Sequence, residues 1–208
     1  MQLTDELIKK TLLPYHFSLS SVQCDAIRTY IPLLLRWNEK ISLTTVVNPV
    51  EILRFHFGES LLAVPVVPIR NGRLADVGSG AGFPGIALRL AVPALSAVLI
   101  ESNTKKAAFL SEVVRELKLS GVEIIRKRME DISEDPQPLD YVTARALGNL
   151  NILLRWTRTR LSKAGKLVLW VGEEDARIVA SDLSWAWSEL VHIPGSERRF
   201  ILSGSIVD

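Results

Sequence analysis

Four glycines crowd the run Asp76-Val-Gly-Ser-Gly-Ala-Gly-Phe-Pro-Gly-Ile86. Glycine takes positive φ without steric cost and lets a ligand approach the backbone. The run follows a short apolar segment ending in Asp76 and gives way to an apolar helical pattern from Ile86. Strand, glycine turn and helix form the local plan of a nucleotide-type cofactor site. The helix start offers unpaired N–H groups and the positive end of its dipole. Gly80 to Gly85 also satisfies G-x-G-x-x-G, so a dinucleotide fits this stretch too. A turn without a ligand would only weaken local structure with so many glycines.

Residues further along extend the same chemistry. Glu101 closes an apolar run about 20 residues past the turn, where an acid holds both ribose hydroxyls of a nucleoside. Its competing reading is a carboxylate at a helix start. Met129-Glu130-Asp131 follows another apolar run. A backbone N–H there suits an adenine ring nitrogen and an acid suits the exocyclic amine, with helix capping as the alternative. Asp76, just before the glycines, favours a cationic amine over a pyrophosphate. That moves the choice from NAD toward S-adenosylmethionine, whose amino-acid end carries an ammonium and whose sulfur is positive.

A substrate would meet this cofactor near Tyr141-Val-Thr-Ala-Arg-Ala146. The chain has no Asn/Asp-Pro-Pro-Tyr run for amino-group methylation, and no obvious Lys-Asp-Lys-Glu set for ribose. The single cysteine, Cys24, lies among the N-terminal helical patterns, away from any role in pyrimidine C5 chemistry. Arg145 is present instead. An arginine pairs with the O6 edge of guanine and with carboxylates; its alternative is a surface ion pair. Guanine N7 carries a free lone pair at neutral pH, so its methylation needs no general base. Alignment alone supplies up to roughly 7–11 kcal/mol. No catalytic acid or base is therefore assigned, and Arg145 is the candidate for positioning guanine. His16, His56 and His192 lack metal-ligand spacing, and His56 reads as a packed or locally bonded histidine. Lys105, Lys106, Arg126, Lys127, Arg128, Arg155, Arg158, Arg160, Arg198 and Arg199 supply either a phosphate-binding face or ordinary solvated charge.

The elements that must position these residues change character along the chain. Of 208 residues, 48% are hydrophobic, enough for a real core. Net charge is +2 and the pI about 8.8, which permits a basic face without proving one. The N-terminus lacks the build of a signal peptide. The longest apolar run, 61–69, is broken by Pro65 and Pro68 and is too short to span a membrane. A monomeric cytoplasmic protein is expected, without metal or membrane partners. Residues 1–70 read as helices packed on a core, capped at Thr4, at Ser20 or Ser21, and at Asn48-Pro49. Pro32 is expected to kink the second and Gly58 to interrupt the third. From residue 71 strands and helices alternate. Strands are expected at 74–77, 97–100, 122–125, 140–144 and 166–171, with helices at 83–90, 105–117, 150–159 and 173–183. Two closing strands follow, 185–193 and 198–203. This is an α/β, Rossmann-like, mostly parallel doubly wound sheet with ligands at the C-terminal strand edges.

These motifs resemble the RsmG/GidB family of bacterial small-subunit ribosomal RNA guanine-N7 methyltransferases. The most specific pieces are Val77 to Ile86, Glu101-Ser-Asn-Thr-Lys-Lys-Ala-Ala-Phe-Leu110 and Thr143-Ala-Arg-Ala146. Trp37-Asn38, Leu43-Thr44, Arg54, His56 and Ser60 look like its N-terminal signature. The resemblance implies a class I methyltransferase fold, S-adenosylmethionine as donor and a 16S rRNA guanine as acceptor, on free RNA or the small subunit. It implies that Gly78 and Phe83 line the cofactor from the loop and that Met129 and Glu130 flank the adenine; Gly80 in the same loop and Glu101, from its spacing, are the further cofactor-binding candidates. Arg145 would complete the cofactor or substrate pocket. Ser42 stands where the family usually has Asn, Glu59 where it has Asp, and Val171-Gly172 where it often has Lys-Gly. The competing functions are an NAD-dependent oxidoreductase on the same loop and a non-catalytic RNA-binding relative.

Overall fold

The computed structural model describes residues 2–133 and 137–207. The strands are β1 (Gly72–Val77), β2 (Leu95–Ile100), β3 (Val122–Ile125), β4 (Leu139–Arg145), β5 (Leu161–Gly172), β6 (Trp185–Trp187), β7 (Val191–His192) and β8 (Arg199–Ile206). They form one sheet in the order β3-β2-β1-β4-β5-β8-β6, with β7 also pairing β8. β1 to β5 run parallel, and β8 returns antiparallel beside β5. The helices α6 (Gly85–Ala91), α7 (Thr104–Glu116), α8 (Leu150–Arg158) and α9 (Glu173–Ala180) alternate with the strands. The expected α/β architecture, with its antiparallel closing strand, is thus present.

Strand residues alternate between two apolar layers, as period-two side-chain geometry requires. Leu74, Ala97, Leu99, Val168 and Ile201 belong to a core shared with α6, α7 and the N-terminal helices. Ala75, Val98, Val142, Leu167 and Leu202 belong to the layer under α8 and α9. Each large apolar side chain buried in these layers contributes about 1.5–3 kcal/mol.

The first 70 residues fold as α1 (Asp5–Leu12), α2 (Ser21–Asn38), α3 (Pro49–Ile52), a wide π-type turn (Leu53–Gly58), α4 (Glu59–Leu61) and α5 (Ala63–Val66). Thr4 caps α1, and Ser20 forms a reciprocal capping box with Gln23 at α2. The side chain of Asn48 accepts from the Val50 and Glu51 N–H groups at α3. α2 is tied to the sheet-bearing half of the chain at three places. The Tyr30 hydroxyl donates to the Ala81 carbonyl of the glycine loop. Gln23 Nε2 donates to the Leu90 and Ala91 carbonyls at 2.9 and 3.0 Å, and Trp37 Nε1 donates to Glu112 at 3.0 Å. No helix among the described residues is long and apolar enough to cross a membrane.

Several local expectations change. α2 runs through Pro32 as one helix, because Ile27, Tyr30, Ile31, Leu33 and Leu34 around it are all packed into the core. Gly58 stays helical: a Cβ there would overlap the Tyr15 ring, so this glycine serves close packing rather than a break. β5 begins at Leu161, before the expected turn, and absorbs Lys163-Ala-Gly165 through a register shift opposite Leu139 and Tyr141. A Cβ on Gly165 would crowd Leu161 and the Leu139 carbonyl, at 2.5 and 3.0 Å. The first closing strand divides into β6 and β7. Between them Ser188 Oγ accepts the Ser203 N–H at 3.1 Å and replaces a ladder bond.

Candidate cofactor and acceptor site

The glycine turn is held from below by Asp76. Its side chain is 0% exposed. One oxygen accepts the Gly85 N–H at 3.0 Å and the other the Thr143 hydroxyl at 2.8 Å. Burial pushes this carboxyl up from 3.8 to about 6, against the pull of the Thr143, Ser79 and Gly85 hydrogen bonds. The expectation that Asp76 greets a cofactor ammonium is therefore corrected. Its oxygens face the protein, and its work is to lock the loop to the start of α6. A Cβ on Gly85 would meet Asp76 Oδ2 at 2.7 Å and Leu99 Cδ2 at 2.6 Å, so only glycine closes this joint.

Above the joint, Gly78 and Gly80 take φ of +72° and +54°. The Gly80 N–H donates to Glu101 Oε2 at 2.9 Å, and the Asn103 N–H donates to Oε1 at 2.7 Å. These bonds aim the Glu101 carboxylate across the ends of β1 and β2. A cavity of about 190 Å³ opens there, lined by Gly78, Glu101, Met129, Glu130 and Leu147, with Lys127 and Arg128 at its wall. Gly78, Glu101, Met129 and Glu130 are thus brought together, with Gly80 hydrogen-bonded to one of them. A Cβ on Gly78 would press on Leu147 Cδ1 at 3.2 Å, which marks how closely the wall approaches the loop. A carboxylate beside a bare backbone turn fits the ribose and amino-acid ends of a nucleoside cofactor.

Phe83 is not among the walls of this cavity. Its ring stacks on His56 at 4.9 Å and meets Tyr30 and Phe57 edge-on at 5.3 and 5.0 Å. The aromatic cluster draws it beneath the N-terminal helices. His56 is correspondingly a packing residue. Its Nε2 bonds Thr44 Oγ1 at 2.7 Å. Burial first, and the Arg145 charge second, lower it from 6.5 to about 4, so it is neutral at pH 7.

Arg145 lies on the far side of Leu147, in a second cavity of about 330 Å³. Its companions include Glu59, Trp170, Asp175, Ile193 and Arg199, and Leu147 walls both cavities. Glu59 is 1% exposed and unites this group. Arg145 Nη2 approaches Glu59 Oε2 at 3.0 Å and donates to the Phe55 carbonyl at 2.8 Å. Arg199 Nη2 approaches Glu59 Oε1 at 2.9 Å, and Trp170 Nε1 donates to the Glu59 carbonyl at 2.7 Å. Burial raises the Glu59 carboxyl while the two guanidinium groups hold it down. Arg199 pairs with Gly172 across β5 and β8. A cation therefore reaches this cavity from β8, beside Val171, where the resemblance leads one to expect lysine on β5.

The remaining basic residues divide. Lys127 and Arg128 line the first cavity and Arg199 the second. Arg160 is structural, donating to the Ile132 carbonyl at 2.9 Å and lying over the Trp156 ring. No group that could hold a metal ion occurs among the described residues. Trp170 and Leu147 are site residues that motif reading did not single out, and Glu59 entered it only as a departure from the family pattern, without a role. The one available signal was Glu59 itself, a lone charge within a nearly unbroken apolar stretch.

With loop, sheet and cavities in place, the fold defines the class. The architecture is similar to a SAM-dependent methyltransferase from Aquifex aeolicus, with TM-score 0.62 and 15% identity over 76% of this chain and 93% of that one. It is also similar to the glycopeptide N-methyltransferase MtfA complexed with S-adenosylhomocysteine, with TM-score 0.61 and 10% identity over 72% and 89%. This is the class I methyltransferase fold. The family described as rRNA small subunit methyltransferase G matches residues 23–194, and the chain belongs to it. A protein called ribosomal RNA small subunit methyltransferase G in Desulfitobacterium hafniense is 39% identical over 72% of this chain; the match spans 63% of that relative, less than two thirds of its length. A protein of the same name in Lactobacillus delbrueckii subsp. bulgaricus is 32% identical over 92% of this chain and 86% of its own length.

Proposed function

We propose that this chain transfers the methyl group of S-adenosylmethionine to N7 of a guanine in small-subunit ribosomal RNA. The observation that carries the reading is the pair of cavities meeting at Leu147, one built on glycine backbone and Glu101, the other on Arg145, Arg199 and Asp175. The cofactor supplies an electrophilic methyl group on positive sulfur. Glu101 receives the ribose hydroxyls, Gly78 and Gly80 admit the amino-acid end against bare backbone, and Met129 with Glu130 borders the adenine. Lys127 and Arg128 guard the same wall.

In the second cavity the target guanine offers O6 to arginine, which leaves the N7 lone pair free to face the methyl group. Arg145, held by Glu59 and the Phe55 carbonyl, orients that edge. Asp175 at the rim is an acceptor for the N1–H and N2–H donors, which adenine lacks. Guanine N7 has no proton to lose, so no residue needs to act as a base. The neutral, packed His56 and the enclosed Asp76 agree with chemistry by alignment. Phe83 supports the loop from beneath rather than touching the nucleoside. Residues 1–70 serve as a cap that carries Glu59 to the site and 71–208 as the methyltransferase unit. The protein works as a cytoplasmic monomer.

The test uses labelled S-adenosylmethionine and small-subunit rRNA from a strain lacking the family gene. Label should enter the RNA, and borohydride reduction followed by aniline should cut the strand at one guanine. Calorimetry should detect S-adenosylhomocysteine and not NADH. Tight NADH binding without S-adenosylhomocysteine binding sinks the reading, and RNA binding without label transfer points to a non-catalytic relative.

A further inference from the structure

A third cavity, of about 450 Å³, lies between α1, the π-type turn and the Pro194-Gly195 turn. Lys10, Tyr15, Arg54, Phe55 and Pro194 are among its walls, and no carboxylate among the described residues is. Its size falls within the roughly 300–1,000 Å³ of ligand pockets. Lys10 and Arg54 are exposed. Two features join it to the acceptor cavity. Arg199 lines the acceptor cavity and lies over the ring of Phe55, 5.4 Å from its centroid, and Phe55 walls the third cavity. Ile193 and Pro194, adjacent in sequence, face one cavity each. Tyr15 feels the same surroundings. Burial and then Glu59 push its phenol up, while Arg54 and Arg199 pull it down, so both cations stand within electrostatic reach.

We infer that this groove binds a nucleotide of the acceptor RNA strand next to the target guanine, with Arg199 bridging the two positions through the connecting phosphate. Cations with no carboxylate among the described walls attract a phosphate backbone, and the half-buried Phe55, backed by the buried Tyr15, offers a base apolar contact of no sequence preference. Guanine bound at Arg145 must leave its stack, and the strand beside it then needs a surface of this kind. The inference rests on the rRNA reading above. It assigns the helical cap a direct hold on the substrate.

The test compares wild type with the Lys10→Glu, Arg54→Glu double variant on small-subunit rRNA from the gene-deficient strain. Wild-type methyl transfer checks the underlying reading by itself, and its absence overturns both proposals. Given transfer, the double variant should raise the RNA dissociation constant and KM about tenfold or more. The slope of log affinity against log salt should flatten by about 0.7 per lost phosphate contact. The S-adenosylhomocysteine dissociation constant and the thermal midpoint should stay at wild-type values. Ultraviolet cross-linking should attach RNA to the peptide carrying Phe55. Wild-type RNA affinity and salt slope in the double variant overturn the inference. So does a loss confined to assembled subunits with naked RNA unaffected, which would assign the groove to a protein partner.

Discussion

The proposed cofactor cleft and the proposed acceptor cavity share Leu147 but are built from different materials. The cleft takes its walls from the ends of β1, β2 and β3 and the segments just after them, and is held by backbone hydrogen bonds around Glu101. The acceptor cavity gathers Glu59 from α4, Arg145 from β4, Trp170 from β5 and Arg199 from β8, and is held by buried charge. A site of backbone and local turns survives most side-chain changes outside its glycines and its one acid. A site centred on a buried carboxylate depends on every partner, because an unpaired buried charge is far more costly than an unmade surface contact.

Removing Glu59 should therefore have the largest effect on the folded state. Glu59→Ala leaves Arg145 enclosed without its anion and should cost about 3 kcal/mol in denaturant unfolding. Arg199 is more exposed and adds little to that loss. Where the variant stays folded, RNA methylation should vanish while S-adenosylhomocysteine still binds. Loss of both together would break the separation between cleft and cavity. Glu101→Ala is the converse change. Losing two charge-assisted hydrogen bonds to the ribose should weaken S-adenosylhomocysteine about 100-fold in calorimetry, with RNA affinity unchanged.

Proton linkage sharpens the contrast between the loop and its cap. Asp76 has a folded pKa raised from 3.8 to about 6, so its contribution to stability is present below 3.8 and is lost as pH rises to about 6. His56 is depressed from 6.5 to about 4, so its contribution is present above 6.5 and is lost as pH falls to about 4. Between pH 4 and 6 the two slopes oppose each other in the wild type. Relative to wild type, Asp76→Asn should make stability rise more steeply with pH in that window, by up to about 1.4 kcal/mol per pH unit. His56→Gln should tilt the curve the other way. Parallel curves for all three proteins would contradict these assignments. The smallest expected effect belongs to Trp170→Phe. It removes one hydrogen bond to the Glu59 carbonyl and should cost about 1 kcal/mol, with a modest rise in KM for RNA.

The same division explains what could be read from sequence. The glycine turn, Glu101 and Met129-Glu130 sit just after apolar runs, and strand-helix alternation places such positions at one sheet edge. Gly78, Glu101, Met129 and Glu130 do meet there. Asp76 and Phe83 were legible as members of the loop but not in direction. Adjacency in sequence does not say whether a side chain faces the cleft or the packing beneath it, and here hydrogen bonds and aromatic contacts turn both inward. Arg145, Arg199 and Glu59 were each noted in the sequence, but their meeting was not legible, since they lie up to 140 positions apart and come together only through the β5–β8 pairing and the helical cap. Helix ends with a capping residue, at Thr4, Ser20 and Asn48, followed the sequence closely. Pro32 and Gly58 did not, because tertiary packing outweighs local propensity at both.

The crystal structure of the protein with S-adenosylhomocysteine tests the division of the site most directly. The ribose hydroxyls should sit on Glu101, the adenine beside Met129 and Glu130, and the sulfur at the Leu147 boundary, turned toward the cavity of Arg145 and Arg199. A nucleoside lodged in the Arg145 cavity, or a sulfur turned away from it, would contradict the account.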